Sequence, residues 1–208
     1  MTNDIHRQVA DYYSRKLREH GATARGVDWN SPESQRNRFR QLARIIDRRP
    51  FSILDVGCGY GAFADDLRES ESDFQYFGSD ISEDMIVAAR DRHAGDPLVT
   101  IVGALDDAPE CDYVVASGIF NVRLSTDDAA WWEYIVETLR AMDAKARRGV
   151  AANFLTSYSD PEYMRDYLYY ADPRVVFDWA KRNLSKQVAL LHDYGLYEFT
   201  LLVRKGEA

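Results

Sequence analysis

The sequence predicts an α/β fold with a doubly wound sheet that is mostly parallel and ends in an antiparallel hairpin. Three observations predict this fold. Short apolar runs alternate with polar helical segments from Pro50 onward, a glycine-rich turn follows the first run, and only a short turn at Gly195 separates the last two runs. Such alternation is typical of a parallel sheet covered by helices on both faces.

The first 49 residues are predicted to form two helices that cover the sheet. A helical pattern extends from Asp4 to Asp47 and is interrupted between His20 and Ser34. Within that interruption Ser31 is a good helix cap, because Pro32 occupies the first helical position after it. The length suits one domain, with residues 1–49 as the helical cover and residues 50–208 as the core.

Five apolar runs are predicted to be the parallel strands: FSILDV (51–56), DFQYFGS (73–79), LVTIVG (98–103), DYVVAS (112–117) and GVAANFL (149–155). Ser82 is expected to cap the helix after the second run, and Ser125 or Thr126 the helix after the fourth. The runs KQVALLHDY (186–194) and LYEFTLLVRK (196–205) are expected to form the hairpin. Residues 158–186, which lie between the fifth run and this hairpin, are predicted to form an aromatic, helical, lid-like insertion.

Composition narrows the function. A formal charge of −8 disfavours binding to a phosphate backbone, so we expect no nucleic-acid partner. The basic stretch from Arg36 to Arg49 is interpreted as a solvent-exposed helix face. Cys58 and Cys111 are expected to be free thiols. With no signal peptide and no membrane-spanning run in the sequence, we expect a cytoplasmic protein without a membrane partner.

The strongest motif is ILDVGCGYGAF, residues 53–63, in which a buried strand enters a glycine-rich turn and then a helix. Gly57, Gly59 and Gly61 allow positive φ angles and a close approach of the backbone to a ligand. Their GxGxG spacing differs from the GxGxxG typical of pyrophosphate binding. Asp55 adds a carboxylate that the dinucleotide pattern does not require.

A second motif, YFGSDIS, places Asp80 at the end of the second strand, about 20 residues beyond the glycine turn. A carboxylate there can accept hydrogen bonds from both hydroxyls of a ribose. Because Ser82 already serves as the cap of the next helix, we interpret Asp80 as a ribose ligand rather than a cap.

Together these motifs and the terminal hairpin resemble the class I S-adenosylmethionine-dependent methyltransferases, which have a Rossmann-like fold. The resemblance covers residues 50–205. It implies S-adenosylmethionine as cofactor, S-adenosylhomocysteine as product and no metal ion. It also implies roles for cofactor-binding residues: Asp55 and the backbone of Gly57, Cys58, Gly59 and Gly61 for the methionine moiety, Asp80 for the ribose, Ile81, Ala104 and Leu105 for the adenine, and Ser117 beside the sulfonium.

This chain departs from the family pattern at two places. The family often has an Asp near the adenine edge, whereas this chain reads VGALDD, so Asp106 or backbone amides take that part. GIFN follows the fourth strand in place of the motif of methyltransferases that act on nucleobase or glutamine amide nitrogens, which argues against those acceptors. Asn121 lies near the position of that motif and is equally well explained as a turn residue.

The segment GVDWNSPESQRNRFRQL resembles the N-terminal cover of small-molecule members of this family. This resemblance implies that Trp29 covers the cofactor and that Arg38 pairs with the cofactor's carboxylate. Core packing explains Trp29 equally well, and surface solvation explains Arg38. A small molecule that accepts the methyl group on oxygen or nitrogen is the expected partner, by direct displacement at the methyl carbon. The sequence leaves the acceptor and the oligomeric state open.

His192 is the candidate catalytic base, because it ends the sixth strand at the carboxyl edge of the sheet, where such folds bind ligands. A structural role is the alternative. His6, His20 and His93 are expected on helices or helix ends away from this edge. Tyrosines of the insertion form either its buried stripe or a lid over the substrate. The rival functions are a nicotinamide-dependent oxidoreductase and a non-catalytic S-adenosylmethionine-binding protein.

Overall fold

A computed structural model describes residues 2–206 of the chain. These residues form six α-helices: α1 (Thr2–His20), α2 (Pro32–Ala43), α3 (Ala62–Ser70), α4 (Glu83–Arg92), α5 (Asp128–Lys145) and α6 (Pro173–Asn183). They also form seven strands: β1 (Phe51–Val56), β2 (Phe74–Ser79), β3 (Val99–Ile101), β4 (Cys111–Ala116), β5 (Ala146–Leu155), β6 (Gln187–Leu191) and β7 (Glu198–Arg204). Short 3₁₀ turns lie at Ala24–Val27, Leu105–Asp107 and Pro161–Tyr163.

The strands form one sheet in the order β3-β2-β1-β4-β5-β7-β6. Strands β1 to β5 pair in parallel, whereas β7 runs antiparallel to both β5 and β6. One core joins α1, α5 and α6 to the sheet, and a second core joins α2 and α3 to the opposite face. The predicted fold class, a Rossmann-like sheet with an antiparallel terminal hairpin, is therefore confirmed.

Local sequence signals place most element boundaries. Side-chain oxygens of Ser31 and Ser82 accept hydrogen bonds from backbone N–H groups at the starts of α2 and α4, as predicted. The cap of α5 was predicted wrongly. Asp127, not Ser125 or Thr126, accepts hydrogen bonds from the first turn, because its carboxylate reaches the N–H groups of Ala129 and Ala130 at about 3 Å.

The C-terminal half differs from the prediction in two details. Strand β5 begins at Ala146, three residues before the predicted run, because Ala146 pairs with Cys111 of β4 ahead of a register shift. The connection between β6 and β7 spans residues 192–197, so it is a loop rather than a tight turn at Gly195.

The insertion at 158–186 is helical only in its second half. Residues 158–172 follow a path of turns that includes the 3₁₀ turn, and α6 starts at Pro173 with Asp172 as its cap. The prediction of a helical insertion is therefore wrong for most of residues 158–172, because Pro161 and Pro173 each favour the start of a helical segment and interrupt one that already runs.

Helix α1 packs against α4 and the Ala24–Val27 turn. The Ser14 hydroxyl lies 2.9 Å from that of Ser82, and the Arg18 guanidinium lies 2.9 Å from the Asp84 carboxylate. This packing carries α1 across the carboxyl edge of β2. None of the helices within residues 2–206 combines the length and the apolar character needed to cross a membrane.

Candidate functional site

A cavity with a volume of about 720 Å³ lies at the carboxyl ends of β1, β2, β3 and β4. The sheet order reverses between β1 and β4, because β1 pairs with β2 on one side and β4 on the other. Open α/β sheets bind ligands at such a switch point. The volume falls within the range of roughly 300–1,000 Å³ typical of small-molecule sites.

One side of the cavity consists of residues that end or follow the four strands, here named the strand-end wall. Its residues are Val56, Gly57, Gly59, Ser79, Asp80, Ile81, Gly103, Ala104, Leu105, Asp106, Ser117, Gly118 and Ile119. Backbone and small side chains dominate this wall. A ligand can therefore approach the main chain closely along it.

The turn after β1 brings backbone directly to the cavity. Gly57 has a φ of +72°, and a Cβ at this position would lie 2.2 Å from the Ile119 side chain. The N–H groups of Gly57 and Cys58 both donate to the Ser79 carbonyl, at 2.8 and 2.9 Å. Glycine is therefore required here both by the backbone angle and by the space available.

Asp80 occupies the end of β2 and lines the cavity. Its two carboxylate oxygens accept hydrogen bonds from the N–H groups of Gly59 and Ser82, each at 2.9 Å. Burial raises the pKa of Asp80, whereas these backbone donors lower it. Because each carboxylate oxygen can accept more than one hydrogen bond, Asp80 retains acceptor capacity toward a ligand.

The opposite side of the cavity, here named the helical wall, comes from two helices that are distant in sequence. Its residues are His6, Val9 and Tyr13 of α1 and Tyr134, Glu137, Thr138 and Ala141 of α5. The His6 and Tyr134 rings meet edge to face, with centroids 5.7 Å apart. Burial lowers the pKa of His6, which favours its neutral imidazole.

Two tyrosines connect this wall to Asp80. Burial, together with the negative charges of Asp28 and Asp80, raises the pKa of Tyr13, and burial with the charge of Asp80 raises that of Tyr134 to about 12. Both phenols therefore stay protonated at neutral pH. Both side chains belong to residues that line the cavity.

The structure brings most of the predicted cofactor residues to this cavity. Eight of them line it: Trp29, Gly57, Gly59, Asp80, Ile81, Ala104, Leu105 and Ser117. Asp106, the considered substitute at the adenine edge, lines it as well. The remaining candidates, Arg38, Asp55, Cys58, Gly61 and His192, are absent from the lining.

Asp55 lies beneath the strand-end wall, almost fully buried. Its Oδ2 accepts a hydrogen bond of 2.8 Å from the Tyr76 hydroxyl, and its Oδ1 has no partner among the described residues. Burial raises the pKa of Asp55 to about 7. Cys58 is buried against Gly78, and Gly61 caps α3 with its carbonyl 2.9 Å from the His93 ring.

His192 does follow β6 at the carboxyl edge, but its side chain is exposed and outside the cavity lining. Its ring lies 6.0 Å from those of Tyr158 and Phe199. Tyr158 and Tyr163 of the insertion are more than half exposed, so they neither form a buried stripe nor line this cavity.

Asn121 is almost fully buried. Its side-chain oxygen accepts a hydrogen bond of 3.1 Å from the backbone N–H of Leu155, and its own carbonyl accepts one from Tyr169. These contacts tie the turn after β4 to the chain that follows β5. The structural interpretation of Asn121 thus accounts for its contacts.

Sequence reasoning missed the helical wall, and the placement of His6 away from the site was wrong. The signal present in the sequence is helical spacing, since positions 6, 9 and 13 share one face of α1 and positions 134, 138 and 141 share one face of α5. That spacing does not distinguish a core stripe from a cavity wall, because both are turned toward the interior.

The charges of the lining are all of one sign. Asp80, Glu83, Asp106 and Glu137 line the cavity, and the described lining includes no lysine or arginine. Among the described lining residues, His6 is the one side chain that can gain a positive charge, and burial favours its neutral form. The cavity therefore suits a ligand with positive charge and disfavours a phosphate group.

Comparison with known proteins gives consistent results. A family model described as Methyltransferase domain matches residues 54–144. The protein named Putative methyltransferase Rv1506c, from Mycobacterium tuberculosis (strain ATCC 25618 / H37Rv), is 54% identical over 164 residues, which cover 78% of this chain and 99% of that protein.

Solved structures share the fold at much lower sequence identity. Human N-acetylserotonin methyltransferase in complex with S-adenosylmethionine matches 98% of this chain and 67% of its own, with a TM-score of 0.62 and 12% identity. The small RNA methyltransferase HEN1 matches 85% of this chain and 25% of its own, with a TM-score of 0.61 and 15% identity.

Proposed function

This chain belongs to the S-adenosylmethionine-dependent methyltransferases, and from that premise we propose that it methylates an oxygen or nitrogen atom of a small, neutral or cationic acceptor. The observation that carries the proposal is the acidic, otherwise largely apolar cavity at the strand ends. Its size suits small-molecule ligands, and no described basic side chain lines it.

The residues present fit S-adenosylmethionine. Gly57 and Gly59 line the cavity with backbone rather than with a side chain, so a ligand can lie against the main chain of the turn. Asp80 offers a carboxylate with remaining acceptor capacity to the ribose hydroxyls. Ile81, Ala104 and Leu105 supply apolar surface for the adenine, and Ser117 lines the cavity at the end of β4.

When bound, S-adenosylmethionine would supply a methyl group on a sulfonium centre. An acceptor lone pair would form a bond to the methyl carbon while the carbon–sulfur bond breaks and its electron pair stays on sulfur. The chain's own residues then position and enclose the reactants. The strand-end wall holds one side, and the helical wall excludes water from the other. Positioning and exclusion of water are large contributions in reactions of this kind.

The charge of the lining supports the acceptor class. An acceptor carboxylate or phosphate within the cavity would face carboxylates and no cationic partner, at a cost in free energy. A neutral hydroxyl or an amine avoids that cost. The overall charge of −8 likewise disfavours an RNA acceptor.

For proton transfer, His6 is better placed than His192. The His6 ring lines the cavity and its neutral form can accept a proton, whereas the His192 side chain lies outside the lining. A base is not essential for acceptors that lose their proton to water after methylation. We therefore assign no required base in this proposal.

The test is methyl transfer from S-adenosylmethionine carrying a labelled methyl group. The purified chain is incubated with pools of small amines, pools of small phenols and alcohols, total RNA and a protein mixture. The proposal predicts label in a small-molecule fraction, and about tenfold less of it from the variant Asp80→Ala at a cofactor concentration well below the wild-type Kd. Transfer into RNA would favour the alternative acceptor class, and binding of the cofactor without transfer into any pool would favour a non-catalytic protein.

We further propose that residues 1–208 act as one domain and that the protein works in the cytoplasm. The shared cavity supports the first point, since helix α1 of the N-terminal cover lines the same site as β1 to β4. Two free, buried thiols, Cys58 and Cys111, support the second, because disulfides are rare in that compartment.

A further inference from the structure

Trp29 forms the part of the cavity that joins the N-terminal segment to the turn after β4. Its ring packs so closely on Gly118 that a Cβ there would lie 2.5 Å from two ring atoms. Gly118 has a φ of +79°, and its N–H donates to the Asn153 side-chain oxygen at 2.7 Å. The position of Trp29 thus fixes the shape of the cavity beside Ser117 and Gly118.

A buried guanidinium contacts the same ring. The Arg38 guanidinium carbon is 3.9 Å from the centroid of Trp29, a distance typical of a stacked cation–π contact. Trp29 therefore contacts both Arg38 of α2 and Gly118 of the turn after β4. Arg38 itself does not line the cavity.

Glu198 determines where this guanidinium lies. The Arg38 Nε donates to both carboxylate oxygens of Glu198, at 2.9 and 2.8 Å, and its Nη2 donates to one of them. Arg38 is 7% exposed and Glu198 1% exposed, so solvent does not compete for the pair. Burial raises the pKa of Glu198, while Arg38 lowers it.

The same strand pair anchors both ends of this chain of contacts. Glu198 is the first residue of β7 and pairs with Leu155 of β5. Asn153, which holds Gly118, is opposite Thr200 two residues further along. The antiparallel extension of the sheet therefore supports Trp29 by two routes, through Arg38 and through Gly118.

We propose that Arg38 and Glu198 are positioning residues for the cofactor: their buried ion pair holds Trp29 against Gly118 and so shapes the cavity beside Ser117. This inference rests on the proposed function. It differs from a direct role for Arg38 at the cofactor carboxylate, because Arg38 already has a carboxylate partner and does not line the cavity.

The experiment compares S-adenosylmethionine affinity by calorimetry, together with thermal stability, in the full chain. Trp29→Leu and Arg38→Met should each raise the Kd roughly tenfold, because both remove the stacked ring or its support. Combining the two changes should give no more than the larger single effect, since both act on the same contact. Arg36→Met is the matched control, because Arg36 lies on the same helix as Arg38 and its ion pair with Glu69 is exposed. This variant should leave the Kd unchanged.

Arg38→Met leaves the Glu198 carboxylate buried without its partner, so a second variant removes both charges. Arg38→Met with Glu198→Leu replaces the ion pair by apolar groups, which commonly preserves stability. We expect this variant to melt near the wild-type temperature and still to bind S-adenosylmethionine roughly tenfold more weakly.

Wild-type affinity in that double variant would overturn the inference, as would an additive loss on combining Trp29→Leu with Arg38→Met. A wild-type chain that does not bind S-adenosylmethionine contradicts the proposed function instead. The two failures are therefore distinguishable.

Discussion

The two sides of the cavity are built in different ways. The strand-end wall comes from short segments next to the ends of β1 to β4, where the backbone of a parallel sheet fixes each position. The helical wall comes from α1 and α5, whose relevant residues lie more than 100 positions apart and meet only through packing. The first wall is thus specified locally by glycines and an aspartate, and the second by tertiary contacts.

The largest effect is expected at the backbone of the strand-end wall. Gly57→Ala would direct a methyl group to within 2.2 Å of the Ile119 side chain at a φ of +72°. Gly95→Ala is the matched control, because its φ of +81° imposes the same strain while nothing lies within 4 Å. Both variants lose roughly 1–2 kcal/mol of stability to the backbone strain.

Only Gly57→Ala should also abolish S-adenosylmethionine binding, measured by calorimetry on samples whose folding is checked by thermal melting. The comparison between the walls would weaken if Gly57→Ala and Gly95→Ala bound the cofactor equally well.

Asp80→Ala should have the next largest effect. Two charge-assisted hydrogen bonds to ribose, at roughly 1.5–3 kcal/mol each, imply at least about a tenfold loss of affinity. Asp84→Ala removes an exposed carboxylate nearby and serves as the control in the same titration. Unchanged affinity in Asp80→Ala would remove this residue from the cofactor site.

A smaller effect is expected on the helical wall. His6→Ala removes one ring contact with Tyr134, worth on the order of 1 kcal/mol, so the Kd for S-adenosylmethionine should rise about fivefold. Arg7→Ala is the control, because the Arg7 side chain is exposed on the same helix. A loss as large as that in Asp80→Ala would show that the two walls contribute equally.

The smallest effect on binding is expected beneath the strand-end wall. Burial raises the folded-state pKa of Asp55 to about 7, above its unfolded value, so its contribution to stability is present in acid and is lost as the pH rises toward 7. Because Asp55 does not line the cavity, Asp55→Asn should leave the cofactor Kd unchanged. The melting temperature of Asp55→Asn should rise relative to that of the wild type between pH 5 and pH 8. A difference in melting temperature that stays constant across that range would show that Asp55 does not titrate there.

The contrast between the walls also explains what could be predicted from the sequence. The β1 run was predicted with its observed bounds, and Ser82 caps α4 as expected, because strand alternation and capping are local signals. Asp80 and Gly57 could be picked out because strand-end positions fix where residues lie. His6 could not, because its position depends on how α1 packs across β2.

Two further residues show the same limit. Arg38 was expected to meet a ligand carboxylate, and the structure pairs it with Glu198, 160 positions away along the chain. A guanidinium in a helix signals a carboxylate partner but does not identify it. His192 follows β6 at the expected edge, yet it lies in the loop at 192–197 with its side chain exposed, which strand position alone does not reveal.

A crystal structure with S-adenosylhomocysteine tests the central claim most directly, namely that the cofactor lies between the two walls. The account predicts the ribose hydroxyls on the Asp80 carboxylate, the amino-acid end along the Gly57 turn, and the His6 and Tyr134 rings covering the ligand from the opposite side. Ligand density elsewhere, for example beside His192 at the β6–β7 loop, with the strand-end cavity holding only solvent, would contradict it.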